Sequence, residues 1–217
     1  MSYPDFDFDG LSKTIFDIDI DSNINGNNDS YSRLQTPFVT TNNNVISDIC
    51  FVAGTPITTN QGIISIEHLN PNIHTIRNKK IIAITQTINC DKYLVCFEKD
   101  SLGKNIPSQK TIMSKNHCIL HKGKMKQAKE FVYKYDNIKK IKYSGEILYN
   151  VLLEEHEKMV VNNIICETLH PDNWVAKIYK DLLPKCNANQ QNICIKQINE
   201  RVKNVLQRNN MNNRNKL

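Results

Sequence analysis

Cys50-Phe51-Val52-Ala53-Gly54-Thr55-Pro56 stands where a polar, low-complexity leader gives way to patterned apolar sequence, and it puts a thiol at that boundary. Gly54 admits backbone dihedrals closed to other residues, so a cysteine followed by a small residue, a glycine and a threonine can lie on a tight turn close to a neighbouring peptide. The competing reading is a buried core cysteine at the start of a strand. The sequence on either side decides between them.

Downstream of Cys50, short apolar runs are broken by turn residues, which is the pattern of an all-β domain. Ile57-Thr58-Thr59 enters the turn signal Asn60-Gln61-Gly62 and leaves through Ile63-Ile64-Ser65-Ile66, a hairpin. Further strands are expected at 80–85, 92–98, 110–113, 118–120, 146–153 and 159–161. Asn162-Asn163 forms a two-residue turn into Ile164-Ile165-Cys166, and His121-Lys122-Gly123-Lys124 forms another into Met125.

Upstream, residues 1–49 hold eight aspartates against Lys13 and Arg33, a net charge of −6. The run Asn23-Ile24-Asn25-Gly26-Asn27-Asn28-Asp29-Ser30 offers little apolar surface to offset the entropy of ordering it, so a disordered acidic arm is expected. Beyond Thr168, Pro171-Asp172-Asn173 is expected to cap a helix over 174–183 that stops before Pro184. A second helix is expected over 193–207, with Ile195, Ile198, Val202, Val205 and Leu206 at helical spacing and a frayed end after it. Residues 176–217 carry nine Lys and Arg against Asp181 and Glu200, a net charge of +7, while the whole chain is +6.

These totals restrict the function classes. With 217 residues, 40% hydrophobic and 7% aromatic, the chain can bury a core. No apolar run approaches the roughly 20 residues of a membrane span, and no signal peptide pattern opens the sequence, so an intracellular, cytoplasmic protein is expected. Seven cysteines without a C-x-x-C pair indicate neither a disulfide framework nor a standard zinc site, and no cofactor or metal is expected. The basic tail lacks interleaved aromatics, which argues against nucleic acid; it reads as a solvated tail or as a contact for a protein partner.

Three features align in order: Cys50 opening the β region, Ser114-x-x-His117 on a later turn, and Tyr149-Asn150-Val151, His156 and Asn162-Asn163-Ile164-Ile165 closing it. This succession resembles the Hint superfamily, the self-processing domains of inteins, bacterial intein-like proteins and Hedgehog C-terminal regions. The resemblance covers Cys50 to about Thr168. It implies an all-β, horseshoe-like Hint domain over 50–168, with the disordered arm at 1–49 and a short α-helical basic tail at 169–217.

What the resemblance implies chemically is a single-turnover autoproteolysis. Cys50 attacks the carbonyl of Ile49, an N-to-S acyl shift that converts the Ile49–Cys50 peptide into a thioester. An unperturbed cysteine is only a few per cent thiolate at neutral pH, and an amine leaves poorly unless protonated. By analogy His117 protonates the Cys50 nitrogen, and Ser114, where the family usually has threonine, bonds the scissile peptide. His156 matches a histidine of the closing block, and within Glu154-Glu155-His156-Glu157-Lys158 it reads equally as an exposed loop residue.

The departures shape the expected outcome. Inteins end in His-Asn before a nucleophile, whereas Glu167-Thr168 stands there in this chain, and Asn150 replaces a common aspartate. Cleavage upstream of Cys50 without splicing is expected, the thioester being resolved by water or another small nucleophile, with the chain's own N-terminal segment as substrate. Asp91 is a candidate activator of the acceptor. Three other readings remain open: an inactive Hint-fold interaction module; a papain-like protease using Cys50, His117 and Asn150, against which the β-hairpin after Thr55-Pro56 argues; and a metal site at His117, Cys118 and His121.

Overall fold

The computed structural model describes residues 49–88 and 92–214, so the acidic arm before Ile49 and the candidate Asp91 lie outside the described residues. The expected hairpins form because their turn residues accept the required dihedrals. Strands β2 (Pro56–Thr59) and β3 (Gly62–Ser65) set Ile57 opposite Ile64, and the Thr59 hydroxyl donates to the Gly62 carbonyl at 2.7 Å across the turn. Between β12 (Lys158–Val161) and β13 (Ile164–Glu167), Asn162 and Asn163 have φ of 48° and 66°, the left-handed pair that a two-residue hairpin loop demands and that asparagine tolerates.

The thirteen strands among the described residues make two antiparallel sheets. One runs in the order β10 (Ile138–Lys142), β6 (Tyr93–Phe97), β7 (Thr111–Ser114), β1 (Phe51–Val52), β11 (Leu148–Leu153), β5 (Lys79–Thr87) and β4 (Thr75–Ile76). The other runs β3, β2, β12, β13, β8 (Cys118–His121) and β9 (Lys124–Gln127). Phe51, Phe97, Met113, Ile119 and Met159 are fully buried in one core fed by both sheets. Each such side chain contributes about 1.5–3 kcal/mol by leaving water. A smaller cluster gathers Cys50, Ile88, Leu94, Tyr143 and Leu148.

Strand β10 escapes a reading of hydrophobic pattern because Lys139, Lys140 and Lys142 fill it. It is the sheet's edge, where lysines discourage pairing with another chain.

At the C-terminal end, Asn173 caps helix α1 (Trp174–Lys177) by accepting from Val175 N at 2.9 Å. The chain continues through a π turn over Ile178–Leu182 and a 3-10 turn over Leu183–Lys185, so Pro184 lies inside the helical run and does not end it. Helix α2 (Ala188–Arg214) begins before the expected start and extends past the expected fraying point. Its start is set by a reciprocal cap, Gln190 N donating to Asn187 Oδ1 at 3.0 Å and Asn187 N to Gln190 Oε1 at 2.9 Å. Its described buried face is Cys194, Ile198 and Asn199, with Ile195 half-buried; the side chains of Val202, Val205 and Leu206 lie outside those described.

Both helical pieces dock on β5. The Tyr179 hydroxyl accepts from Gln86 N at 2.8 Å and lies 3.3 Å from the Gln86 carbonyl, while Asn199 Oδ1 accepts from Ile88 N at 3.0 Å. Among the described residues no helix is long and apolar enough to cross a membrane.

Candidate functional site

Strand register assembles the site. The two-residue β1 is central, pairing Phe51 with Met113 on one side and with Tyr149 on the other. One residue earlier, position 50 therefore falls across from Ser114 and Asn150. Cys50 N donates to Ser114 Oγ at 2.8 Å, and Ser114 N donates back to the Cys50 carbonyl at 2.9 Å, so both main-chain groups of Cys50 are held by one residue. On the opposite side, Asn150 Nδ2 donates to the carbonyl of Ile49 at 2.5 Å. The Ile49–Cys50 peptide is thus gripped at its nitrogen and at its oxygen. Cys50, Ser114, His117 and Asn150 are all fully buried.

The Ser-x-x-His spacing is the span of one tight turn. His117 N donates to the Ser114 carbonyl at 3.2 Å, which turns the chain from β7 into β8 and brings the imidazole back over Phe51 at 4.3 Å between ring centroids. His117 Nε2 lies 3.1 Å from the Glu167 carbonyl oxygen. A carbonyl only accepts, so Nε2 carries a proton and, in the neutral ring, Nδ1 keeps its lone pair. Burial pushes the imidazole pKa down to about 4, against the charge and carbonyl of Glu167 and the Cys50 backbone, which favour the cation. Nδ1 is buried without a well-formed hydrogen bond. A buried polar atom without a good hydrogen bond costs about 1–3 kcal/mol, and a catalytic role is one physical reason for a fold to keep it.

His156 belongs to a different shell. Its Nε2 is 3.4 Å from Glu167 Oε2 and its ring packs on His170 at 4.9 Å, with the side chain 39% exposed. Glu167 joins the two histidines: its other carboxylate oxygen accepts from Cys118 N at 2.8 Å while its carbonyl receives His117. The structure therefore brings Ile49, Cys50, Ser114 and His117 together and, among the described residues, links His156 to His117 through Glu167.

Two alternatives lose their geometry. His121 Nε2 sits 3.1 Å from the Tyr135 hydroxyl and the ring packs edge-on against Phe131, so His117, Cys118 and His121 do not converge. No group of metal-binding side chains occurs among the described residues. Asn150 does not orient His117, as a papain-like triad requires; its amide is spent on Ile49, and a strand follows Cys50 where that fold has a helix. Burial also raises the thiols of Cys96, Cys118, Cys166 and Cys194, Cys118 to about 11, which makes them poor nucleophiles.

Sequence reasoning passed over Asn150 and Glu167 as losses relative to a family pattern. The available signal was physical. Asn150 interrupts the apolar strand 148–153, and a buried amide in such a strand must find partners.

A family model described as a Hint domain matches residues 49–173. No curated protein matches the chain. Among solved structures, a DnaB intein from Synechocystis sp. PCC 6803 is 15% identical, with 56% of this chain and 99% of that one covered and a TM-score of 0.39. A bacterial intein-like domain from Clostridium thermocellum is 14% identical, with 55% and 98% covered and a TM-score of 0.43.

Proposed function

The chain belongs to the Hint domain family through residues 49–173, and from that premise we propose that it cleaves itself at the Ile49–Cys50 peptide by an N-to-S acyl shift, without splicing. The observation that carries the proposal is the grip on that one peptide. Its N–H is held by Ser114, the ring of the next residue, Phe51, lies tilted against His117, and the His117 imidazole is buried against the Cys50 backbone, with no well-formed hydrogen bond at Nδ1.

The steps follow from those positions. The Cys50 thiol gives its proton to His117 Nδ1 as Sγ attacks the Ile49 carbonyl carbon, and the carbonyl π electrons move to oxygen. The resulting imidazolium, whose pKa is near 4, gives up its proton more readily than an ordinary imidazolium. It returns the proton to the Cys50 nitrogen, and the C–N bond breaks to leave a thioester on Cys50 and a free α-amine. Ser114 fixes the direction of the N–H, leaving the opposite side of that nitrogen to receive the proton. Water, or an added thiol or hydroxylamine, then takes the acyl group and releases the segment ending at Ile49. His156 acts at one remove, positioning Glu167, which in turn orients His117.

Glu167-Thr168 supplies no asparagine side chain to cyclise at the downstream end, which supports cleavage alone. The test is the intact mass of the full chain incubated with and without dithiothreitol or hydroxylamine. A product beginning at Cys50, accelerated by either nucleophile and absent in Cys50→Ala, is expected. A chain that stays whole under both would leave an inactive interaction module as the better account.

A further inference from the structure

Asn150 does more than complete a strand. Resting on the self-cleavage reading, we propose that its side-chain amide is the fixed donor that receives the negative charge developing on the Ile49 carbonyl oxygen, making Asn150 a catalytic residue.

The orientation of the amide follows from its partners. Nδ2 lies 2.5 Å from the Ile49 oxygen, and Oδ1 accepts from Val151 N at 2.8 Å. Reversing the amide would set two acceptors against each other at Ile49 and two donors at Val151, so the side chain is locked with its N–H toward the scissile carbonyl. The residue is fully buried on β11, with β1 on one side and β5 on the other. A donor on so well-held a strand needs no reorganisation when charge appears, and the low dielectric around it strengthens the bond as the oxygen becomes anionic. Only that strengthening accelerates the reaction.

In electron terms, Sγ–C bond formation sends the carbonyl pair onto oxygen, and the Asn150 N–H holds it there. Collapse returns the pair as the C–N bond breaks, the thiol's original proton going by way of His117 to nitrogen. An amide also has no charge to lose or gain near neutral pH. A carboxylate at this position would face the developing oxyanion with a like charge until protonated.

The competing role is structural, a buried amide that merely keeps β1 in register. The experiment compares the full-length wild type with Asn150→Ala and Asn150→Asp. Thiol-induced release of the N-terminal segment is expected to fall roughly 100- to 1000-fold in Asn150→Ala. In Asn150→Asp it is expected to be equally slow at pH 8 and to recover as pH falls and the carboxyl gains a donating proton. Equal rates in all three chains, or the same pH profile for both variants, would overturn the proposal.

A second readout does not need cleavage. Carbonyl-13C isoleucine with 15N-cysteine labels the three Ile–Cys peptides, 49–50, 165–166 and 193–194. Cys50→Ala identifies the first, and the other two report that the fold is intact. The Ile49 carbonyl resonance is expected to move upfield in Asn150→Ala while the others stay. An unmoved resonance would show that Asn150 does not polarise that carbonyl. A wild-type chain that never cleaves, yet shows the expected movement, would overturn self-cleavage and with it the catalytic role while leaving the polarising bond established.

Discussion

Acidification should destabilise this domain through His117, and the size of the effect follows from its surroundings. The imidazole is fully buried and its pKa lies near 4 in the folded chain, against 6.5 for an ordinary histidine. Between those values the unfolded chain binds a proton that the folded one refuses, so stability rises with pH across the interval and is lost as pH falls from about 6.5 toward 4. At about 1.4 kcal/mol per pH unit, the interval corresponds to about 3 kcal/mol. Below about 4 the folded chain also takes up the proton and the loss levels off. The assay is urea unfolding at pH 7.0 and 4.5 in a Cys50→Ala background, which prevents cleavage, with and without His117→Gln. Other titrating groups contribute to both chains, so the difference isolates His117. The parent chain is expected to lose about 2–3 kcal/mol more than the His117→Gln chain on acidification. Equal losses would show that residue 117 is free to charge in the folded state, and the tautomer and proton route assigned above would fall with it.

Removing the hydroxyl in Ser114→Ala leaves Cys50 N without its acceptor, and cleavage measured by intact mass should slow by about 5- to 30-fold, equivalent to about 1–2 kcal/mol. His156→Ala removes a partly exposed pair with Glu167 and a ring contact with His170; the expected stability change is below about 1 kcal/mol, with a rate loss much smaller than that of His117→Ala. Tyr179→Phe strips the acceptor from Gln86 N where the C-terminal helices meet β5, and chemical denaturation should register about 1–3 kcal/mol. A neutral result there would mean that water replaces the hydroxyl.

The hairpins and most strands were legible because their signals are local. Alternating apolar residues stop at Asn60-Gln61-Gly62, at Lys122-Gly123 and at Asn162-Asn163, residues that accept turn dihedrals. Strand β10 was hidden by lysines whose reason is the sheet edge they occupy, a property of the assembled sheet. Helix α2 was dated too late because its start depends on the Asn187–Gln190 cap and not on an apolar repeat.

By itself the sequence determined a β domain opening at Cys50, the order of its turns, and the presence of a thiol, a hydroxyl and an imidazole in family order. Tertiary structure alone decided what those groups touch. Register across the two-residue β1 sets position 50 between Ser114 and Asn150, residues 64 and 100 positions away along the chain. It gave Glu167 to His117, and it made Asn150 a donor to Ile49 when its identity suggested only a missing acid. The physical reason is that a strand's pattern states which face is buried, whereas the partner opposite each residue is fixed by hydrogen bonds between segments far apart in sequence.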